Sequence, residues 1–149
     1  MDLYYSLDMK KIVIFLVLTF MLHAGENEYL FLGKHFIANY SECDPEALKD
    51  AHRLVEVMRE GVKESGAQIL NESSYFFPGD GLTMAILLSE SHASIHTYPE
   101  HNACFVDLFT CGDHCHYEPF DRVLREYLKP RSVQSKVLVR DEAFTEHRP

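Results

Sequence analysis

Leu88-Ser89-Glu90-Ser91-His92-Ala93-Ser94-Ile95-His96-Thr97-Tyr98-Pro99-Glu100 is the stretch from which the rest of the chain can be read. Residues 94–98 have strand character, residues 82–89 end a preceding strand-like run, and residues 104–110 form the next one. Upstream, Phe77-Pro78-Gly79-Asp80-Gly81 has the composition of a turn, and residues 67–76 read as a strand before it. Further back, Asp44 is a helix N-cap with Pro45 at the first helical position. Leu48, Ala51, Leu54, Val55, Met58 and Val62 then recur at helical spacing until Glu64-Ser65-Gly66 ends the run. Residues 29–40 alternate as a first strand. Downstream, Phe120, Val123, Leu124 and Tyr127 predict a helix over 118–128, Pro130 stops it, and 132–139 alternates as a last strand. The order β-α-β-β-β-α-β predicts an α+β fold: a two-layer sandwich, an antiparallel β-sheet with two helices packed on one face.

The chain has 149 residues, the size of one ordinary domain, and 46% of them are hydrophobic, enough for a real core. Asp and Glu outnumber Lys and Arg by 23 to 14, a net charge of −9 that repels phosphate backbones, so no nucleic-acid partner is expected. Four cysteines stand at 43, 104, 111 and 115 and would permit two disulfides in an exported protein. Cys43 and Cys104 read more simply as small buried hydrophobes. Cys111, His114, Cys115 and His116 cluster, but no second pair at structural-zinc spacing accompanies them, and no metal is expected.

Residues 1–28 form an N-terminal extension. Met9-Lys10-Lys11, the apolar run 12–22 and His23-Ala24-Gly25 resemble a secretory signal, too short to span a bilayer as a helix. An extra apolar strand or helix at the domain edge is the other reading. The domain proper is expected over 29–149, with no membrane partner. A solvated tail from 140 closes the chain.

The chemistry concentrates between 83 and 111. A serine after Glu90, held tightly between strands, can attack the preceding carbonyl and turn the amide into an ester. Removal of its α-proton then parts the chain by β-elimination, and the new N-terminus hydrolyses to a pyruvoyl group. This needs a strained or polarised peptide and a proton acceptor. His96 on the following strand and Cys111 on the next are the candidates to reach that serine. Spacing alone leaves the ordinary reading open: a surface histidine and a core cysteine.

The run 88–100 and Asp107-Leu108-Phe109-Thr110-Cys111-Gly112 closely resemble the short prokaryotic S-adenosylmethionine decarboxylase proenzymes. The likeness continues through Leu32-Gly33-Lys34-His35, Glu42-Cys43-Asp44 and Glu64-Ser65-Gly66-Ala67, and spans roughly 30–140. The resemblance implies self-cleavage between Glu90 and Ser91, giving a β subunit that ends at Glu90 and an α subunit that starts at residue 91. Ser91 would become the covalent pyruvoyl group that forms a Schiff base with the substrate amine and draws electrons as carbon dioxide leaves. It implies His96 as processing base, Cys111 as proton donor, and Thr83 as a processing hydroxyl where the family usually has serine. It also implies Glu100 on the ribose hydroxyls, Phe77 stacked on adenine, and Phe31 as a second stacking face. No pyridoxal phosphate is implied.

By the same resemblance, processed αβ units pair as (αβ)₂ with sites at the interface. The product would be the aminopropyl donor for spermidine, made in the cytoplasm, with export the alternative that residues 9–24 raise. A pyruvoyl-dependent decarboxylase of ornithine or arginine, and a non-catalytic relative, are the alternative functions.

Overall fold

The computed structural model describes residues 31–89, 91–111 and 114–141. The signal-like segment, Glu90 and the end of the tail lie outside them. Six strands form one sheet: β1 (Gly33–Ser41), β2 (Ile69–Phe76), β3 (Leu82–Leu88), β4 (Ser91–Tyr98), β5 (Ala103–Cys111) and β6 (Ser132–Arg140). Their spatial order is β2-β3-β4-β5-β1-β6, and every neighbouring pair is antiparallel. Three helices, α1 (Pro45–Lys49), α2 (Ala51–Glu64) and α3 (Tyr117–Leu128), accompany it, and a 3₁₀ turn, Pro99–His101, links β4 to β5. No helix among the described residues is long and apolar enough to cross a membrane.

Alternation sets the two faces of the sheet. Leu82, Met84, Ile86, Ala93, Ile95, Cys104, Val106 and Leu108 are buried, and they meet Leu54, Met58 and Val62 of α2 and Phe120, Leu124 and Leu128 of α3. Each such large side chain contributes about 1.5–3 kcal/mol by leaving water. The helices approach closely at Gly61, where a Cβ would stand 3.0 Å from both Leu124 Cδ1 and Phe120 Cδ2. Among the described residues, no helix covers the other sheet face. That face presents Thr83, Leu87, His92, His96, Tyr98, Phe105 and Asp107, and Leu87, Tyr98 and Phe105 are exposed hydrophobics there.

Three boundaries differ from the sequence reading. Strand β1 starts at Gly33, leaving Phe31 and Leu32 of the predicted run outside it. The single predicted helix after Asp44 is two. Asp44 accepts from the amides of Glu46 and Ala47 and starts α1, and Asp50 then ends α1 and caps α2 by accepting from the Arg53 amide at 3.0 Å. Strand β4 begins at Ser91 rather than 94, because Ser91 and His92 pair with both neighbours despite their polarity. The Glu64-Ser65-Gly66 stop behaves as read. Gly66 takes φ +88°, and a Cβ there would lie 2.7 Å from the His114 carbonyl oxygen. This is the left-handed helix end that glycine serves.

Polar ties pin the layers together. The buried Tyr40 hydroxyl donates to Asp121, and burial together with that bond pushes the phenol well above its ordinary pKa. Arg59 of α2 grips Glu72 of β2 with two guanidinium nitrogens, Nε donating at 2.8 Å. The hydrogen bond from Arg59 holds the Glu72 carboxyl below its ordinary 4.5. A depressed carboxylate pKa stabilises the fold above the ordinary value, and that stability is lost as pH falls through the lowered one. Glu72→Gln is therefore expected to cost about 0.5–1 kcal/mol at neutral pH, the scale of a half-exposed pair. The difference from wild type should close in acid, as denaturant unfolding at both pH values will show.

Candidate active site

Two groups of reactive side chains stand on β4 and its neighbours. The first lies where β3 and β4 pair Thr83 with His96. The Thr83 hydroxyl is 3.1 Å from His96 Nδ1 and donates to it when that nitrogen is unprotonated. A cavity of about 420 Å³ opens beside them, lined also by Phe77, Gly81, Thr97, Tyr98 and Glu100. That volume suits a small-molecule ligand. Its wall is the predicted turn: Phe77 N–H donates to the Gly81 carbonyl at 2.7 Å, and Gly79 adopts φ +93°. Its floor is fixed by Thr97, whose buried hydroxyl accepts from the Leu82 amide at 2.7 Å. Four of the sequence-predicted residues, Phe77, Thr83, His96 and Glu100, thus share one cavity. An exposed half-ring at Phe77 and an exposed carboxylate at Glu100 offer a stacking surface and a hydroxyl acceptor.

The second group lies at the opposite end of the strand. Ser91 Oγ stands 3.7 Å from Cys111 Sγ. Ser91 pairs with Leu88 and Thr110, whereas His96 pairs with Thr83 and Phe105. Five residues of strand separate Ser91 from His96, about 17 Å. Within one chain, then, the thiol reaches the serine and the imidazole does not. Ser91 holds φ at +153°, a region of the backbone map that is all but reserved for glycine and costs about 1–3 kcal/mol elsewhere. The strain sits on the residue whose preceding bond is expected to break.

Gly33 supports this end. It pairs with Cys111, and a Cβ on it would stand 2.5 Å from the Phe109 ring and 3.4 Å from Cys111 Sγ. Phe31, two residues before β1, is 67% exposed at the Ser91–Cys111 end and does not line the cavity. Thr97, Tyr98 and Gly33 were not among the residues expected to build the site. An inward-facing threonine in an otherwise apolar alternation was the available signal for Thr97.

Of the remaining cysteines, Cys43, Cys104 and Cys115 are buried, and none of the four forms a disulfide. The hydrogen bond with Cys43, and then burial, push the Cys104 thiol far up. A helix-backed sheet with a ligand-sized cavity on its bare face and a strained serine against a thiol at one end of β4 defines a small α+β enzyme of the self-processing kind. Comparison with known proteins gives the family. Residues 34–141 match the family model described as S-adenosylmethionine decarboxylase. A protein of Pyrobaculum aerophilum named S-adenosylmethionine decarboxylase proenzyme is 41% identical over 112 residues, 74% of this chain and 89% of its own. One of the same name from Parasynechococcus marenigrum is 43% identical over 98 residues, 66% of this chain and 77% of its own. The crystal structure of the adenosylmethionine decarboxylase from Aquifex aeolicus superposes with a TM-score of 0.70 at 28% identity, covering 80% of this chain and 99% of that one. The chain belongs to the S-adenosylmethionine decarboxylase family.

Proposed function

We propose that this chain is a proenzyme that cuts itself between Glu90 and Ser91 and decarboxylates S-adenosylmethionine, supplying the aminopropyl donor for spermidine. We further propose that each site is assembled from two copies. Ser91, Cys111 and Phe31 come from one copy, and Thr83, His96, Phe77 and Glu100 from the other. The observation that carries this reading is the split on β4. Two half-sites lie about 17 Å apart on one strand, each lacking what the other holds. A two-fold pairing of bare sheet faces about an axis that runs across the strands would bring one end of each strand to the opposite end of its partner's. The exposed Leu87, Tyr98 and Phe105 on that face support it, since scattered rings and aliphatics on an uncovered sheet gain by being buried.

Processing follows from the residues. Ser91 Oγ attacks the Glu90 carbonyl carbon and the C–N bond breaks, so an ester replaces the amide and the strain at Ser91 is released. His96, oriented by Thr83, takes the Ser91 α-proton. The ester oxygen leaves with Glu90 as its new carboxylate. Water then replaces the freed nitrogen, ammonia departs, and a pyruvoyl group remains at the α-chain terminus. The strained serine and adjacent thiol fit that group, which supplies a carbonyl that accepts the electron pair when carbon dioxide departs. Cys111, 3.7 Å from Ser91 Oγ, returns a proton to the substrate α-carbon. Phe77 and Phe31 face the adenine ring, and Glu100 accepts from the ribose hydroxyls.

Intact-mass measurement is expected to find two fragments divided between Glu90 and Ser91, the smaller with a blocked terminus. Carboxyl-labelled S-adenosylmethionine should release carbon dioxide in preference to ornithine or arginine offered in competition. An uncut, inactive chain would sink the proposal, and release from a basic amino acid alone would replace its substrate.

A further inference from the structure

Three side chains from three strands converge on the bare face of the sheet, outside the two half-sites. His35 of β1 and His92 of β4 both turn Nε2 toward Oδ1 of Asp107 on β5, at 3.7 and 3.9 Å. The three donor atoms all lie within 4.8 Å of one another. These separations are too long for hydrogen bonds and close to those of a shared ion. Donors about 2.0–2.1 Å from a tetrahedral zinc stand roughly 3.3 Å apart. The gap closes with small side-chain rotations.

A second, independent feature points the same way. His35 Nε2 is buried and has no hydrogen-bond partner, which is uncommon for a polar atom out of water. It is aimed at the space the other two donors share. Asp107 is also oriented from behind: Ser94 Oγ donates to its other oxygen, Oδ2, at 2.6 Å. An outer hydroxyl that fixes a ligating carboxylate is a regular part of metal sites. The Phe109 ring packs against both imidazoles, with centroids 5.3 and 5.7 Å away, and limits their swing.

We propose that His35, His92 and Asp107 bind one divalent transition-metal ion of the zinc class, with a position left for water or an exogenous ligand. Two imidazoles and one carboxylate suit zinc better than magnesium or calcium, which prefer oxygen. The ion would tie β1, β4 and β5 together beside the residue that follows Ser91. It replaces the absence of metal expected from the sequence, where these three residues stand 57 and 15 positions apart and share no motif.

The test is zinc titration of the purified full-length protein after chelator treatment, read by competition with a chromogenic chelator. One zinc per chain is expected. His92→Ala, at a half-exposed position where folding is safe, and Asp107→Asn should abolish it. Ser94→Ala should weaken it by about 10-fold, the usual effect of losing an outer-shell partner. Cobalt in place of zinc should give tetrahedral visible bands without a cobalt–thiolate charge-transfer band, and Cys111→Ser should bind as wild type does. No stoichiometric binding, binding that survives His92→Ala, or a thiolate band that disappears in Cys111→Ser would each overturn the proposal.

Discussion

Ser91→Ala is expected to remain one uncut chain and to release no carbon dioxide from S-adenosylmethionine. The loss should exceed about 10⁶-fold, the lower end of what enzymes supply over the uncatalysed reaction. The reasoning begins with the backbone. At φ +153° the residue after Glu90 is held where a side chain is disfavoured, and conversion of the amide to an ester relieves the hold. Alanine keeps the strain and removes the nucleophile, so cleavage has no first step. The thiol of Cys111, 3.7 Å from the missing hydroxyl, does not substitute, because attack must come from the residue's own side chain to form the ester that elimination requires. Without cleavage there is no carbonyl at position 91, and Cys111 has no carbanion to protonate. Gel mobility and intact mass read the first effect, and labelled carbon dioxide reads the second. An unchanged circular dichroism spectrum and melting temperature would show that the variant folds. Two fragments from Ser91→Ala would refute the assignment of the bond, and turnover by the uncut chain would refute the assignment of the electron sink.

Much of this architecture is legible in the residues, for definite reasons. Leu82 to Leu88 is legible as a strand because the run is short and almost wholly apolar, but its buried face, Leu82, Met84, Ile86 and Leu88, is not, because Ala85 and Leu87 on the other face are apolar too. The break at Asp50 is silent because Ala51 and Val55 follow Leu48 at spacings of three and seven across it, and a helix that stops and restarts in register leaves the apolar pattern unchanged. The start of β4 is silent for the opposite reason. Ser91 and His92 are in the sheet through pairing with β3 and β5, which no local pattern records. Phe77, Thr83, His96 and Glu100 could be named from a motif, and register alone explains why they share a cavity: Thr83 opposes His96, and the turn at 77–81 folds over both. The separation of Ser91 from His96 also follows from strand geometry, since five residues along an extended chain cannot fold back on themselves. The convergence of His35, His92 and Asp107 was beyond reach, because they sit in three separate stretches that only the strand order β4-β5-β1 brings side by side.

Co-expression of Ser91→Ala with His96→Ala is expected to restore activity that neither variant has alone. In a two-fold dimer with composite sites, Ser91 and Cys111 of one copy work with Thr83 and His96 of the other. Each homodimer then carries the same defect in both its sites. A mixed dimer places the intact Ser91 of the His96→Ala chain against the intact His96 of the Ser91→Ala chain, and its other site holds both substitutions. Half of randomly paired dimers are mixed and each has one complete site of two, so recovery should approach about a quarter of wild type. The fragments carry a sharper signature than the rate does. Only the His96→Ala chain should be cut, because only it retains the serine, and differently tagged chains will show which one parts. A site contained in a single chain predicts no recovery at any ratio, and cutting of the His96→Ala chain on its own would remove the imidazole from the processing step. The geometry leaves little room between these results: Thr83 holds His96 at 3.1 Å at one end of β4, Cys111 stands 3.7 Å from Ser91 at the other, and the strand between them is paired on both sides.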